Sequence, residues 1–421
     1  MKNPSNKDKR GRGGYNSDGF VVAVAAASRI LIGFAMVAAD VVLVDHDARG
    51  VARFPSSGRG GGDGGSCAPV AWWLQAFTKW DSAHFLNIAA NGGYKQESDV
   101  AFLPLYPSVV RFVADLFVVG EGSCRRNDLV VVVALCINLV CFVFSSLVFV
   151  RLLEEWKLSP AVQKMAFWVH IGNPANVFFT TAYTESIYAA SSWLSMLLLE
   201  RHRPLWACLT FLVASSIRSN GVLNAAIPAC MLCRSLLASN PSPANVARFF
   251  FACAAPLLPF LLLDSWNHAF LCSTSASYKQ EWASRCVSAL HGYFGTYAQI
   301  QRKYWNVGFL KYYTLKQVPN ILVALPISMI ACATLILLRN EPLLLKYRVH
   351  LGVVLCTGAC FAHTEILTRL LLASCPIVHV GLASLLLQTK RTEILLPVLS
   401  SYLVIFNILG VLLHSNFYPW T

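Results

Sequence analysis

One aspartate in a polar, aromatic stretch is the best candidate for acid–base chemistry in this sequence. Asp81 lies within residues 72–107, which read WWLQAFTKWDSAHFLNIAANGGYKQESDVAFLPLYP and fall between two hydrophobic segments. A carboxylate held beside aromatic rings at a lipid interface is partly desolvated and becomes a better proton acceptor. We therefore expect Asp81 to act as a base, the alternative being an ordinary solvated aspartate on an interfacial helix.

The residues around Asp81 follow the spacing of an amphipathic helix. Aromatic and apolar side chains recur at helical intervals, at Trp73, Phe77, Trp80, His84 and Ile88. A helix with one such stripe lies along a membrane surface with its apolar face towards the lipid. We expect an interfacial helix here, with Asp81 at the edge of the stripe.

The composition is that of a polytopic membrane protein. Of the 421 residues 56% are hydrophobic and only 13% are charged, and the mean hydropathy is +0.54. A soluble globular chain of this length is far less apolar. The net charge of +13 comes from Lys and Arg scattered through short segments between apolar runs. This pattern is typical of membrane orientation and argues against a nucleic-acid partner.

The chain divides into a basic tail, residues 1–19, and one integral-membrane domain, residues 20–421. We expect the tail in the cytosol and a first non-cytosolic loop over 45–99. Spans at about 100–120 and 129–150 follow, joined by Arg125-Arg126 on the cytosolic side, and a second non-cytosolic stretch covers 267–318. With every basic cluster in the cytosol, we expect an all-α fold of about eleven transmembrane helices.

The 14 cysteines lie mostly in apolar runs, where Cys behaves as a small hydrophobic residue. They do not show the Cys/His spacing of a zinc site. Cys272 and Cys286 both fall in the second non-cytosolic stretch, where a disulfide between them can form.

Charged residues far apart in the sequence meet in this topology. It brings Asp81, Glu97, Glu185, Arg218 and Arg369 to one face of the bilayer. A charge in the apolar zone costs roughly 2.5 to 3.5 kcal/mol on insertion scales, so such residues face a cavity and pair with another group. We expect residues 204–233 to form two short helices, with Arg218 at the break between them and facing the cavity.

Two interpretations of the arginines remain open. Arg218 and Arg369 can bind an anionic lipid head group, because a guanidinium recognises phosphate through two parallel hydrogen bonds. Alternatively they are structural and pair with carboxylates, for example Arg218 with Glu185. Asp81 is followed by Ser82-Ala83-His84 rather than by the second Asp of a DxD motif. This argues against a metal-chelated nucleoside-diphosphate donor, and we expect no metal.

Several motifs resemble the PIG-V family, the GPI mannosyltransferase 2 enzymes of the endoplasmic reticulum that use dolichol-phosphate-mannose. In family order they are WDSAHFLNIAANGGY followed by AFLPLYP (80–107), NPANVF with YTES (173–186), IRSNG (217–221), TRLLLASCP (368–376) and SNFYPWT (415–421). Together they cover the chain from about residue 20 to its end. The sequence departs from the family at Leu370, where Phe is common, and at His379-Val380, where a Tyr-Trp pair is common.

The resemblance implies a GT-C fold with many transmembrane helices and a catalytic first luminal loop. It implies transfer of the second mannose, in α1,6 linkage, from dolichol-phosphate-mannose to the GPI precursor, a mannosylated glucosaminyl-(acyl)phosphatidylinositol, without a cofactor. The implied location is the endoplasmic reticulum membrane, with a luminal active site. The implied partners are these two lipid substrates and the membrane lipids, and a small membrane accessory subunit remains an open question.

The resemblance also implies roles for individual residues. The donor is β-linked and the product α-linked, so the transfer should invert in one displacement, with a base removing the proton of the acceptor hydroxyl. Asp81 is the expected base, while Arg218 and Arg369 would stabilise charge on the departing phosphate. The expected substrate-binding residues are Trp80, His84, Glu97, Tyr183, Glu185, Arg218, Asn220 and Arg369.

Two alternatives stay open. Another dolichol-phosphate-sugar-dependent GT-C glycosyltransferase would share the fold, and the linkage of the product would distinguish it. A membrane lipid or solute transporter would also carry intramembrane charges. It would not account for the aromatic loop between the first two spans or for the ordered set of motifs.

Overall fold

A computed structural model of the chain describes residues 17–47, 51–55, 70–117, 123–239, 242–273, 295–388 and 394–420. Its regular structure in these ranges is entirely helical, as predicted. The α-helices are α1 (Asp18–Val42), α2 (Asp81–Asn91), α3 (Leu105–Asp115), α4 (Ser123–Glu155), α5 (Pro160–Ile171), α6 (Asn176–Thr180), α7 (Glu185–Glu200), α8 (Pro204–Ile217), α9 (Ala226–Leu236), α10 (Pro243–Ala254), α11 (Leu258–Ser273), α12 (Thr296–Trp305), α13 (Val318–Leu337), α14 (Leu345–Phe361), α15 (Leu367–Ser374), α16 (Ile377–Gln388) and α17 (Leu395–His414). Cys272 is disulfide-bonded. Cys286 and most of the predicted tail lie outside the described residues.

Fewer helices are long enough to cross a membrane than the sequence predicted. Within the described ranges six segments are sufficiently long and apolar, and α15 with α16, which meet at a bend of 95°, add a seventh. About eleven crossings were expected. The difference arises because 100–120, 161–199 and 204–233 fold as shorter helices separated by breaks. The six segments are Asp18–Val42, Arg126–Glu155, Pro243–Cys272, Leu315–Leu337, Pro342–Phe361 and Leu395–His414.

The prediction that 204–233 form two short helices is confirmed by α8 and α9. The prediction that Arg126 and the first loop lie on opposite sides of the membrane is wrong. Helix α4 runs antiparallel to α1, since Arg151 near its end pairs with Asp18 at 2.5 Å. At its other end, Asp128 accepts a 3.0 Å hydrogen bond from the backbone N–H of Ala71 in the first loop. Arg126 therefore lies on the side of that loop, and α3 is not a separate crossing.

The core forms where α4, α7 and α8 pack side by side and α16 packs against α5 and α13. At its centre the rings of Phe149, His170, Trp193 and His379 lie 5.1 to 5.7 Å apart, and all four are buried. His379 is one of the positions that depart from the family motif. It belongs to a packed ring cluster of the kind that adds about 0.5–1.5 kcal/mol per aromatic pair.

The predicted interfacial helix does not form as one element. A 3₁₀ helix covers Trp72–Phe77, and α2 begins only at Asp81 because Trp80 has a φ of +57°. The residues of the expected stripe then face different surroundings, since Trp73 is 44% exposed and Ile88 only 4%. Helix α2 packs against α3 and α4, so its apolar residues Phe85, Leu86 and Ile88 are buried in the protein.

Gly381 marks a close approach of α13 and α16. A Cβ atom at this position would overlap Oγ1 of Thr334 and lie 2.6 Å from its Cβ. Gly381→Ala should destabilise the protein by about 1–3 kcal/mol, as overpacking of a core does, even though Ala favours helices more than Gly. Thermal unfolding of the purified protein in detergent would show this as a lower Tm.

Gly352→Ala in α14 is the matched control, because among the described residues no atom beyond its chain neighbours and the adjacent backbone of its own helix lies within 4 Å of the Cβ that it would add. This variant should keep its stability or gain up to about 1 kcal/mol from helix propensity. Equal Tm values for the two variants would contradict the close packing of α13 and α16.

Candidate active site

Four charged side chains of alternating sign form the centre of the site, and we call them the charge chain: Asp81, Arg369, Glu185 and Arg218. Oδ2 of Asp81 accepts hydrogen bonds from Nη1 and Nη2 of Arg369, each at 3.0 Å. Nη1 of Arg369 also lies 3.7 Å from Oε1 of Glu185. The same oxygen accepts a 2.5 Å hydrogen bond from Nη1 of Arg218. These are four of the five charges that the sequence predicted to converge.

Burial requires these charges to pair. The side chain of Glu185 is fully buried, and those of Arg218 and Arg369 are only 14% exposed. An ion in such surroundings loses several kcal/mol of solvation, which the four alternating charges offset for one another. Asp81 is the most exposed member at 33%, so a ligand would reach the charge chain from the end formed by Asp81.

Arg218 is placed by the break that follows α8. The backbone turns extended there, with φ −139° and ψ 138°, and Nε donates a 3.0 Å hydrogen bond to Asn220. Asn220 in turn donates to Ser374 at the end of α15. Gly221 has no room for a side chain, since a Cβ would lie 2.6 Å from Cα of Ser215. The IRSNG motif is thus one folded unit that aims Arg218 at Glu185.

Tyr183, one of the expected substrate-binding residues, contacts the charge chain directly. Its hydroxyl accepts a 3.2 Å hydrogen bond from the backbone N–H of Asp81. The guanidinium of Arg369 lies 5.4 Å from its ring centre and 5.1 Å from that of Phe178, within the range of a cation–π contact. Asn138 in α4 donates a 2.8 Å hydrogen bond to the carbonyl of Tyr183 and fixes the turn before α7.

Glu97 is the fifth charge that was expected to converge, and the structure places it in a different pair. Its Oε2 accepts hydrogen bonds from Lys303 at 2.6 Å and from the Tyr304 hydroxyl at 2.9 Å. Both partners lie in α12, within residues 267–318. Glu97 therefore ties the first loop to α12, because both of these hydrogen-bond donors belong to that helix.

His84 and Trp80 flank Asp81 but are held by other parts of the chain. His84 stacks on Phe102 at 4.4 Å, and its Nδ1 lies 3.7 Å from Asp99. The ring of Trp80 lies 6.0 Å from that of Phe417 in the SNFYPWT motif. The substrate roles predicted for these two residues stay predictions.

Sequence reasoning missed Lys79, two residues before Asp81. Its ammonium is buried and lies 3.2 Å from Asp40 and 2.7 Å from Asp45. It also lies 4.7 Å from the ring centre of Phe417. The available signal in the sequence was a lysine two residues before the candidate base, together with two aspartates at the end of the preceding span. Lys79 anchors the start of α2 to the end of α1.

Tyr297 in α12 was also missed. Its hydroxyl lies 2.8 Å from Oγ of Ser219, next to Arg218. Burial raises the pKa of Tyr297, so the phenol stays neutral and can both donate and accept a hydrogen bond. Helix α12, within residues 267–318, therefore borders the site, which its tyrosine content alone does not indicate.

The arrangement has the groups needed for displacement at a phosphate-linked carbon. Asp81 is a carboxylate that can accept a proton, and a guanidinium such as those of the two arginines can donate two parallel hydrogen bonds to a phosphate. Arg218 uses only Nε and Nη1 in the hydrogen bonds of the described chain. Among the described residues no group of three or more His, Cys, Asp or Glu is arranged to hold a metal ion.

Most of the chain matches one family model. The family is described as mannosyltransferase (PIG-V), and the matches cover residues 67–347 and 340–421. The chain belongs to this family. It is therefore a membrane glycosyltransferase, which favours the enzyme interpretation over a transporter.

Curated relatives from animals and fungi agree with the family match. The GPI alpha-1,6-mannosyltransferase 2 of Cricetulus griseus is 28% identical, over 95% of this chain and 98% of its own length. The protein of the same name from Homo sapiens is 27% identical over 83% of this chain and 88% of its own length. The GPI mannosyltransferase 2 of Schizosaccharomyces pombe is 26% identical over 76% and 67%. This chain is similar to them along most of its length.

Removal of the central carboxylate should destabilise the whole site. Glu185→Gln would leave Arg218 and Arg369 buried with one negative partner between them, and breaking a buried ion pair in this way costs about 3–5 kcal/mol. We expect a clear fall in Tm in a thermal unfolding experiment on the purified protein.

Glu155→Gln is the matched control, because Glu155 pairs with Arg201 at 3.0 Å where the side chains are 37% and 48% exposed. Exposed pairs contribute about 0–1 kcal/mol, so its Tm should barely change. Equal effects of the two substitutions would contradict the central role of Glu185.

Proposed function

We propose that this protein transfers a mannose in α1,6 linkage from dolichol-phosphate-mannose to the GPI precursor that already carries one mannose. The observation that supports the proposal is the paired contact of Arg369 with Asp81, which sets a carboxylate beside a guanidinium. Membership of the PIG-V mannosyltransferase family and the names of the curated relatives support this reaction.

The reaction is an inverting displacement at C1 of the donor mannose. The acceptor hydroxyl oxygen forms the new bond to C1 while the bond from C1 to the dolichol phosphate oxygen breaks. Asp81 takes the proton of the hydroxyl, and the phosphate leaves with the bonding electron pair. No net oxidation occurs and no cofactor is needed.

The arginines act on the departing phosphate. Charge that develops on phosphate oxygens is stabilised by donors that are already in place, and a guanidinium offers two parallel hydrogen bonds. Arg369 binds Asp81 in the free protein. A donor phosphate that engages Arg369 competes for the same guanidinium and frees the carboxylate to act as a base. Because arginine supplies this charge, we propose that the reaction requires no metal.

The closest competing proposal is transfer by another dolichol-phosphate-sugar-dependent enzyme of the GT-C type. The two differ in the linkage and in the acceptor. Membranes from cells that express the chain, incubated with labelled dolichol-phosphate-mannose, should produce an α1,6-linked dimannosyl GPI precursor. Another linkage in the product would overturn the proposal.

Asp81→Asn should lower turnover by about 10²- to 10⁴-fold, because the amide cannot accept the proton. Protein abundance and Tm should change little, since Asp81 is the most exposed member of the charge chain. The measurement is the initial rate of mannose transfer at saturating substrates, with Asp115→Asn as a control at an exposed carboxylate that pairs with Arg126.

Asp81→Glu distinguishes a role of Asp81 as the catalytic base from a role as the ion-pair partner of Arg369 alone. The glutamate keeps the negative charge but displaces the carboxylate, and a positioned base tolerates this poorly. If Asp81 served only to hold Arg369, the Glu variant would retain its activity. Near-normal turnover in the Asn variant would also remove Asp81 from the role of base.

We further propose that the site faces the lumen of the endoplasmic reticulum. Three ion pairs join the segments around Asp18, Arg201 and Lys346, which the sequence predicts to be cytosolic, to the end of α4 or to one another: Asp18–Arg151, Glu155–Arg201 and Glu200–Lys346. Clusters of basic residues favour that side. Seven crossings, an odd number, would leave the SNFYPWT motif and the first loop together on the opposite side.

A thiol-labelling experiment in sealed microsomes tests this topology. With the free cysteines replaced by serine, Arg203→Cys should react with an impermeant maleimide before detergent is added. Lys316→Cys, at an exposed position that precedes α13, should react only after detergent is added. Reversed accessibility of the two positions would overturn the luminal assignment.

A further inference from the structure

A polar cavity lies alongside α2, beyond the charge chain. It has a volume of about 230 Å³, and its polar lining includes Arg53, His84, Asn87, Asn91, Lys95 and Asp99. Sites that enclose a drug-sized ligand typically measure roughly 300–1,000 Å³ and are lined mainly by apolar side chains. This cavity is smaller and more polar, so it fits part of a hydroxyl-rich ligand and not a lipid chain.

The cavity continues the face of α2 that carries Asp81. Residues 81, 84, 87 and 91 follow one another at intervals of three or four and therefore share one side of the helix. With a rise of 1.5 Å per residue, the cavity starts about 5 Å from Asp81 along the helix axis and extends to about 15 Å. A ligand in the cavity can thus present a group to Asp81.

The lining is held in place before any ligand binds. The Asn87 side chain donates a 3.0 Å hydrogen bond to the Arg53 carbonyl. Asp99 is buried and accepts hydrogen bonds from the backbone N–H groups of Lys95 and Gln96, each at 2.9 Å. His84 lies 3.7 Å from the same carboxylate. Such preorganisation reduces the entropy lost when a polar ligand binds.

The chemistry of the lining matches sugar hydroxyls better than a phosphate. Asparagine amides both donate and accept hydrogen bonds, as hydroxyl groups do. The Asp99 carboxylate disfavours an anion, and the Arg53 guanidinium lies 5.3 Å from the ring centre of Phe417. The phosphate-binding groups of the protein, Arg218 and Arg369, belong instead to the charge chain.

We propose that this cavity binds the sugar chain of the glycolipid acceptor, so that the hydroxyl to be glycosylated reaches Asp81 along α2. This proposal rests on the proposed mannosyltransferase function and adds a binding site for its acceptor. Asn91 and Lys95 are the lining residues whose exposed side chains contribute binding without supporting the fold. The cavity selects the acceptor, while the arginines select the lipid-linked donor.

Asn91→Ala and Lys95→Ala test the site in the purified full-length protein. The acceptor is mannosylated glucosaminyl-phosphatidylinositol, and the donor is dolichol-phosphate-mannose. Each variant should raise the KM for the acceptor by about tenfold, as the loss of one or two hydrogen bonds to a substrate hydroxyl does. The KM for the donor should stay within about twofold of wild type, and Tm should not change.

Lys316→Ala is the matched control, since this exposed lysine does not line the cavity; it should leave both KM values unchanged. Acceptor KM values equal to wild type in both cavity variants, or a rise in the donor KM instead, would overturn the cavity proposal.

The acceptor dissociation constant, measured without donor, keeps this test separate from the proposed function. If the wild type binds the acceptor and the variants bind it about tenfold more weakly, the cavity is supported even where no transfer is detected. Absence of transfer by the wild type would refute the proposed function alone. Equal binding by wild type and variants would refute the cavity.

Discussion

The pairing of Glu185 with two arginines is the interaction on which the rest of the site depends. Its carboxylate is fully buried between Arg218 and Arg369, and each of the three charges needs the others to offset its lost solvation. Arg369 then extends the alternation to Asp81, the member most open to solvent. Four distant parts of the chain meet at this point, since each supplies one of the four charges.

Breaks in the helices make that meeting possible. A φ of +57° at Trp80 starts α2 at Asp81, and an extended residue, Arg218, ends α8. Helices α15 and α16 meet at a bend of 95°, a few residues beyond Arg369. Irregular backbone at membrane depth is tolerated where it lines a cavity or is buried in protein. The same breaks reduce the number of long apolar helices below the number that hydropathy suggests.

The start of α2 is anchored from two sides. Lys79 joins it to the end of α1 through Asp40 and Asp45. Phe417 packs near both Lys79 and Trp80, which links the C-terminal motif to the first loop. The motif at the end of the chain thus acts on the site through packing, and its contacts explain how a segment so far from Asp81 in sequence belongs to the same functional unit.

The sequence by itself determined the all-helical membrane architecture, because long apolar runs and basic clusters are local patterns that a membrane requires. Its ordered motifs determined the family. The pattern of apolar runs also predicted that Asp81, Glu185, Arg218 and Arg369 converge. Periodicity could not reveal where α2 begins, since a single positive φ interrupts an otherwise regular stripe. It could not assign partners either, such as Lys303 for Glu97. Which charge meets which, and which polar face of α2 opens into a cavity, are set by distances between elements, and only the tertiary structure decides those.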